Sequence, residues 1–171
     1  MGISMDPITT HDVRCSLVNM SKRRTQALAI PRLDDVTWED LDFLAWTDGR
    51  DTSRAYLVTT WYGRNVGMEM RTTARGTNFR RKTICSVCAT THPLGGTALF
   101  TARKAGKEGR LGNTVGEYMC RNLACSLYAR RKLTPAMSQM HETLSLDQRI
   151  GRIGAKLSAI VKNVLGDSAW D

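Results

Sequence analysis

The chain has 171 residues, 42% of them apolar, with 25 Lys and Arg against 16 Asp and Glu for a net charge of +9. That length supports one domain with a real core, or a small domain with helical additions, and no apolar run approaches the roughly 18 residues a membrane span needs. The charge is uneven: residues 52–141 carry 15 Arg and Lys against three acids, while residues 1–51 carry six against nine, so the middle of the chain is expected to meet an anionic partner such as nucleic acid, a ribosomal surface or an acidic protein.

The N-terminus shows no signal peptide, and Asp6 stands where a myristoylation signal wants Ser or Thr, so a cytoplasmic location is expected. Residues 9–29 read as a helix with Thr9 or Thr10 as N-cap, interrupted near Ser21 and stopped by Pro31, with Lys22, Arg23 and Arg24 toward its C-terminal end. Cys15 on this segment reads as a small buried apolar residue. Thr37 with Asp40 forms a capping pair, and Trp38, Leu41, Leu44 and Ala45 fall on one helical face, which predicts a short amphipathic helix to Trp46. Its other face, with Glu39, Asp40 and Asp42, reads as solvated.

Tyr56, Val58 and Thr60, then Gly63, Arg64 and Asn65, then Val66, Met68 and Met70 in alternation give a hairpin. A basic link from Thr72 to Lys82 leads to Ile84–Cys88, reading ICSVC. After Gly95 and Gly96, the run Ala98, Leu99, Phe100 predicts a strand and Thr114–Cys120 a returning one. Between them Arg103, Lys104, Lys107 and Arg110 alternate with glycines in an exposed basic loop, read either as a partner contact, which the charge favours, or as an unengaged turn. Beyond Pro135, Ser145 and Gln148 make a capping box, and Leu146, Ile150, Ile153, Leu157, Ile160, Val161 and Val164 trace one face of a helix ending near Gly166. That seam either folds back on the preceding domain, covers the N-terminal helix, or pairs with another copy as a homodimer.

The chemistry lies in the cysteines. Cys85 and Cys88 are two apart, and Cys120 and Cys125 close a second clamp, together four thiolates suited to tetrahedral zinc. The alternatives are buried free thiols, or two disulfides, which would suit a secreted chain, yet five cysteines leave Cys15 unpaired. The order of knuckle, hairpin, strand, then a helix from about Asn122 to Arg130 carrying Cys125 is that of a treble clef. Arg80, Arg81, Lys82 and Arg121 flank the site, where they offset its negative charge and extend the basic face from Arg75 to Arg131. His92 supports the metal from outside the ligand set. Four cysteines leave no open position for a water, so the metal reads as structural. Phosphate-cradling loops, dinucleotide fingerprints and nucleophile elbows are missing, and His141-Glu142 fails as a zinc-protease motif because Ser145 stands where its second histidine belongs. An enzyme is not supported.

The segments WEDLDFLAWTD (Trp38–Asp48), ICSVC, GNTVGEYMC (Gly112–Cys120) and RNLACSLY (Arg121–Tyr128) resemble the family of elongation factor G-binding proteins with a C-terminal treble-clef zinc finger, the fusidic-acid resistance type, in a short actinobacterial-like form. The resemblance runs from about Pro31 to Lys132. It implies that Cys85, Cys88, Cys120 and Cys125 hold structural zinc, and that the activity is non-catalytic binding of elongation factor G that helps it leave the ribosome. The expected architecture is α+β: a small antiparallel sheet with a four-cysteine treble-clef zinc finger, flanked by N- and C-terminal helices. Three regions are expected: an N-terminal helical segment (1–31), a zinc-binding domain (32–134) and the C-terminal amphipathic helix (138–166). The expected partner-contacting residues are Arg80, Arg81, Arg103, Lys104, Lys107, Arg110 and Arg121, meeting elongation factor G, the ribosome or its RNA. The alternative is a zinc protein acting on DNA or RNA directly, against which stands the scarcity of aromatic residues near the basic ones.

Overall fold

A computed structural model describes residues 4–72 and 82–166. Five antiparallel strands form the main sheet, β1 (Phe43–Thr47), β2 (Arg54–Trp61), β3 (Arg64–Thr72), β6 (Thr97–Arg103) and β7 (Thr114–Cys120), in the order β1-β2-β3-β6-β7. A separate two-stranded ribbon, β4 (Thr83–Ile84) with β5 (Thr91–His92), lies between them in sequence. The expected α+β class with helices at both ends of the chain is what the structure has.

The β2–β3 hairpin turns on two residues, Tyr62 (φ 47°) and Gly63 (φ 73°). Positive φ at both central positions is the turn that matches strand twist, so the reversal falls one residue before the Gly63-Arg64-Asn65 expected from the sequence. Alternation along β2 and β3 sends Leu57 and Met68 to one face and Tyr56 and Val58 to the other, as period two requires.

The first face is sealed by α5 (Leu146–Leu165), which opens with the expected capping box between Ser145 and Gln148. Ile153, Leu157, Ile160, Val161 and Val164 pack with Phe43, Leu57, Met68, Phe100 and Met119 in one core that also takes in Cys85, Cys88, Cys120 and Cys125. The helical seam thus folds back on its own chain, and only Leu146 of that seam stays exposed, at 45%. The opposite face is covered by the N-terminal segment, where Met5, Ile8 and Val13 meet Leu44 and Val58.

That segment is two short helices. α1 (Thr10–Ser16) is capped by Thr9, whose reciprocal bonds with Asp12 form a capping box, and α2 (Lys22–Gln26) is capped by Ser21. Between them the chain extends: Leu17 bridges Gly67, and Val18 donates to the Gly67 carbonyl at 3.0 Å. Asn19 accepts from the Glu69 amide and donates to the carbonyls of Glu69 and Arg103, stitching β3 to β6. Arg14 satisfies the end of α2 by donating to the carbonyls of Thr25, Gln26 and Leu28. Cys15 lies exposed on the outer side of α1, 3.4 Å from His11 Nε2, a correction to its expected burial: Val13 and Ser16 take the inward positions.

The helix expected from Thr37 to Trp46 does not form. Only a single 3₁₀ turn, Trp38–Asp40, is present, Thr37 makes no side-chain cap, and Leu41 is extended. The next residues become β1, because all five of them pair with β2 and two-sided burial suits a strand: Phe43 and Ala45 pack toward α5, Leu44 and Trp46 toward the N-terminal segment. Asp42 is correspondingly not solvated. Its carboxylate takes two bonds from Arg130, at 2.7 and 3.0 Å, with both side chains under 10% exposed.

Candidate metal centre

Each cysteine is delivered by a local structure that the sequence around it explains. The knuckle closes as Cys85 N–H donates to Thr90 O and Ala89 N–H donates to Cys85 O, both at 2.9 Å, with Ala89 at φ 61° reversing the chain. This turn aims the amides of Val87 and Cys88 at Cys85 Sγ, at 3.4 and 3.5 Å. Cys120 is the last residue of β7, opposite Thr97. Leu123 (φ 58°) then folds back to donate to Cys120 O, Asn122 Oδ1 accepts from the Ala124 amide, and Cys125 opens α4 (Cys125–Ala129). The helix starts three residues later than expected, with Cys125 still in its first turn.

All four sulfurs lie within 4.8 Å of one another and all four residues are buried. Cys88 and Cys120 are 3.5 Å apart, Cys85 and Cys125 3.7 Å. A tetrahedral ion with sulfurs about 2.3 Å from its centre has an edge of roughly 3.8 Å, so the donor set fits zinc, whereas disulfide sulfurs lie about 2.05 Å apart. The charges agree. Hydrogen bonding from Cys120 and Cys125 holds the Cys85 thiol far below the ordinary range, while hydrogen bonding with Cys120, Cys85 and Cys88, together with burial, pushes Cys125 well above it. Four such groups ionise together only with a dication among them. The site is a structural zinc centre, with every ligand position filled by protein.

Around the ligands a second layer is in place. His92 Nε2 lies 3.1 Å from Cys120 Sγ, and its ring stands edge-on to Tyr128. Burial pushes the His92 pKa down, against the opposing Cys85 charge, which favours a neutral ring; protonated at Nε2, it would donate to a zinc-bound Cys120 thiolate. The histidine fits because position 96 is glycine: a Cβ there would stand 2.5 Å from His92 Cβ. Cys88 Sγ is 3.1 Å from the Thr90 hydroxyl, and Ser86 Oγ donates to Tyr118 O at 2.6 Å. Arg152 of α5 donates to Cys88 O at 2.9 Å and pairs with Glu142. Sequence reading anticipated His92 but missed Thr90, Gly96 and Arg152. Arg152 is 64 residues from its acceptor, and no local pattern announces such a bond.

The expected contact residues fall in separate places. Arg80 and Arg81 lie outside the described residues. Arg121 sits at the zinc end, half-buried, its Nε donating to Gly95 O at 2.7 Å and its amide to Gly96 O, while Lys82 is exposed nearby in sequence. Arg103, Lys104, Lys107 and Arg110 lie at the other end of the β6–β7 hairpin, about 20 Å away at roughly 3.3 Å per residue. Their loop contains a short helix, α3 (Gly106–Arg110), and is anchored: Ala105 N–H donates to Val164 O of α5 at 2.7 Å, and Lys104 N–H to Asn113 O. Gly109 makes this turn feasible, since a Cβ would lie 1.8 Å from Lys104 O. Among the described residues no carboxylate pairs with any of the four cations.

Among curated proteins nothing matches the chain. The solved structure of the fusidic acid resistance protein FusC aligns over 74% of this chain at 17% identity with a TM-score of 0.48, and the chain spans 57% of that protein's length. The model of a family described as FBP C-terminal treble-clef zinc-finger matches residues 12–164, reaching through the N-terminal segment and α5 as well as the Pro31–Lys132 stretch that carries the resemblance in sequence. By that match over most of its length, the chain belongs to the FBP C-terminal treble-clef zinc-finger family.

Proposed function

We propose that this protein is a non-catalytic zinc-finger module that binds translation elongation factor G, on or beside the ribosome, and promotes the factor's release. Family membership over residues 12–164 carries the reading, joined to the resemblance of its motifs to elongation factor G-binding proteins of the fusidic-acid resistance type. The closed four-cysteine centre supports a structural rather than a chemical role for the metal, because no position is left for water or substrate. The basic loop supports a contact role. Arg103, Lys107 and Arg110 are exposed and Lys104 half-exposed on a turn held to α5, and unpaired cations on a fixed support steer an acidic partner into register. Arg121 extends that charge at the zinc end, and Arg80 and Arg81, outside the described residues, are kept as proposed contacts from the sequence. A homodimer through α5 would have to use the helix's outer side, since its apolar seam is covered by the sheet.

The test is a pulldown with zinc-loaded protein from lysate of its own host, with and without nuclease, at two salt concentrations. Recovery of elongation factor G that survives nuclease and moderate salt is the expected result. Recovery of nucleic acid alone, lost steeply as salt rises, would replace this reading with direct DNA or RNA binding.

A further inference from the structure

A cleft of about 620 Å³ opens beside the zinc knuckle, between the end of α4, the segment after Pro135 and the first turns of α5. Its walls are fixed. Gln139 clamps the post-Pro135 segment to the knuckle, accepting from the Thr91 amide at 2.7 Å and donating to the Thr91 carbonyl at 2.8 Å, and Arg152 ties α5 to Cys88 O. Tyr128, Leu133 and Met140 give the lining an apolar part, and Met140 is 78% exposed.

Three arginines, Arg131, Arg149 and Arg152, line this apolar cleft against one acid, Glu142, which is already engaged by Arg152. The Nε atoms of Arg149 and Arg152 are shut off from water and have no hydrogen-bond partner. A buried donor left unpaired is costly, more so when charged, and the two residues that carry these donors both line the cleft. Arg131 adds a second sign. It follows α4 in the left-handed region at φ 55°, the position after a helix where glycine is strongly preferred. A long cation held in a conformation that disfavours it points to a use for its charge.

We infer that this cleft receives a segment of a protein partner in which a carboxylate side chain stands next to an apolar one, the carboxylate bound by Arg131 and Arg149 and the apolar group by Tyr128, Leu133 and Met140. Arg forks suit a planar carboxylate, and the apolar part of the lining suits a neighbouring apolar side chain, which phosphate binding through cations alone does not use. The site is distinct from the α3 loop, which lies at the other end of the β6–β7 hairpin, and its occupant is defined by chemistry whichever protein supplies it.

The test follows the arginine Nε–H resonances of the zinc-loaded, full-length protein. The probe is a pool of capped tripeptides with central Glu or Asp flanked by Leu, Phe or Met. Saturable shifts at Arg149 and Arg131 are expected, with the matching Gln and Asn pool at least tenfold weaker. Arg131→Gly removes the charge while relieving the backbone, so its melting temperature should hold or rise as peptide affinity falls tenfold or more; Arg149→Gln should weaken binding to a similar extent. Absence of shifts, equal shifts with the amide pool, or tighter binding of inorganic phosphate or an oligouridylate would overturn the inference. A parallel titration with purified elongation factor G separates the two readings: peptide binding without factor binding would retain the cleft and remove the proposed function.

Discussion

The two ends of the β6–β7 hairpin are built to opposite rules. At the Cys120 end the groups around the metal are partnered: four sulfurs share one centre, His92 and Thr90 contact two of them, and Arg121 and Arg152 are tied to backbone carbonyls, although the Nε atoms of Arg149 and Arg152 beside the knuckle are not. At the Arg103–Thr114 end the backbone is anchored just as firmly, yet among the described residues the cations have no carboxylate partner. One helix joins them. From Arg152, bonded to the knuckle, to Val164, bonded to the loop, α5 rises about 18 Å at 1.5 Å per residue, nearly the length of the hairpin it lies beside. Local charge therefore says little about role until the partner of each charge is known: Arg121 and Arg152 near the metal brace the backbone, and among the described residues the arginines and lysines at the far end have no carboxylate partner.

The sharpest way to break this contrast is at the metal. Because the four cysteines belong to the same core as Met68, Phe100 and Val161, removing zinc with a chelator, or making Cys125→Ser, should abolish the cooperative melting of the sheet and not only of the knuckle. Structural zinc in isolated fingers contributes about 10–16 kcal/mol, as much as or more than the whole stability of a typical domain, about 5–15 kcal/mol. Calorimetry showing a sharp transition within a few degrees of the zinc-loaded protein would separate the metal from the core.

A smaller loss is expected where the zinc half grips the first strand. Arg130 and Asp42 form a buried pair, and Ser126 Oγ accepts from the Asp42 amide at 3.0 Å, so α4 holds β1 in place. Arg130→Ala strands a buried carboxylate and should cost about 3–5 kcal/mol, whereas joint replacement by Asp42→Leu and Arg130→Met should recover most of it. Urea midpoints measure both. On the opposite face, Gly67→Ala would place a Cβ 2.5 Å from Ser16 Oγ and 3.1 Å from Leu17, an overpacking worth about 1–3 kcal/mol. Adding Ser16→Gly should restore part of the midpoint if that contact is the cause.

What could be read from the sequence follows the range of the interactions involved. The zinc ligands, the β2–β3 hairpin and the capped α5 depend on spacings within a few residues or on one helical face, and those patterns are explicit in ICSVC, in Val66, Met68 and Met70, and in Ser145 with Gln148. The strand β1 was not legible, because Trp38, Leu41, Leu44 and Ala45 fit a helical face and only pairing with β2 and burial on both sides decide otherwise. Asp42 looked solvated because Arg130 is 88 residues away. Cys15 looked buried from residue type alone, although its helix turns Val13 and Ser16 inward. The candidate cleft was likewise hidden, since Arg131, Arg149 and the knuckle meet only in the folded chain.

The smallest expected effect on stability tests the other end of the hairpin. Alanine at Arg103, Lys104, Lys107 and Arg110 together removes no ion pair and no buried contact among the described residues, because the loop is held by backbone bonds to Asn113 and Val164 and by the space that Gly109 leaves. The melting temperature should therefore move by no more than surface changes do, about 0.5 kcal/mol per substitution or less. Binding should respond differently. Affinity for elongation factor G should fall about tenfold or more, chiefly through slower association, and its salt dependence should flatten, since exposed charges act mainly on encounter. Unchanged affinity with unchanged folding would remove the loop from the interface and leave the zinc end, with its cleft and Arg121, as the surface that meets the partner. A large loss of stability instead would mean that these side chains hold the hairpin, and that the two ends do not differ as their ion pairs indicate.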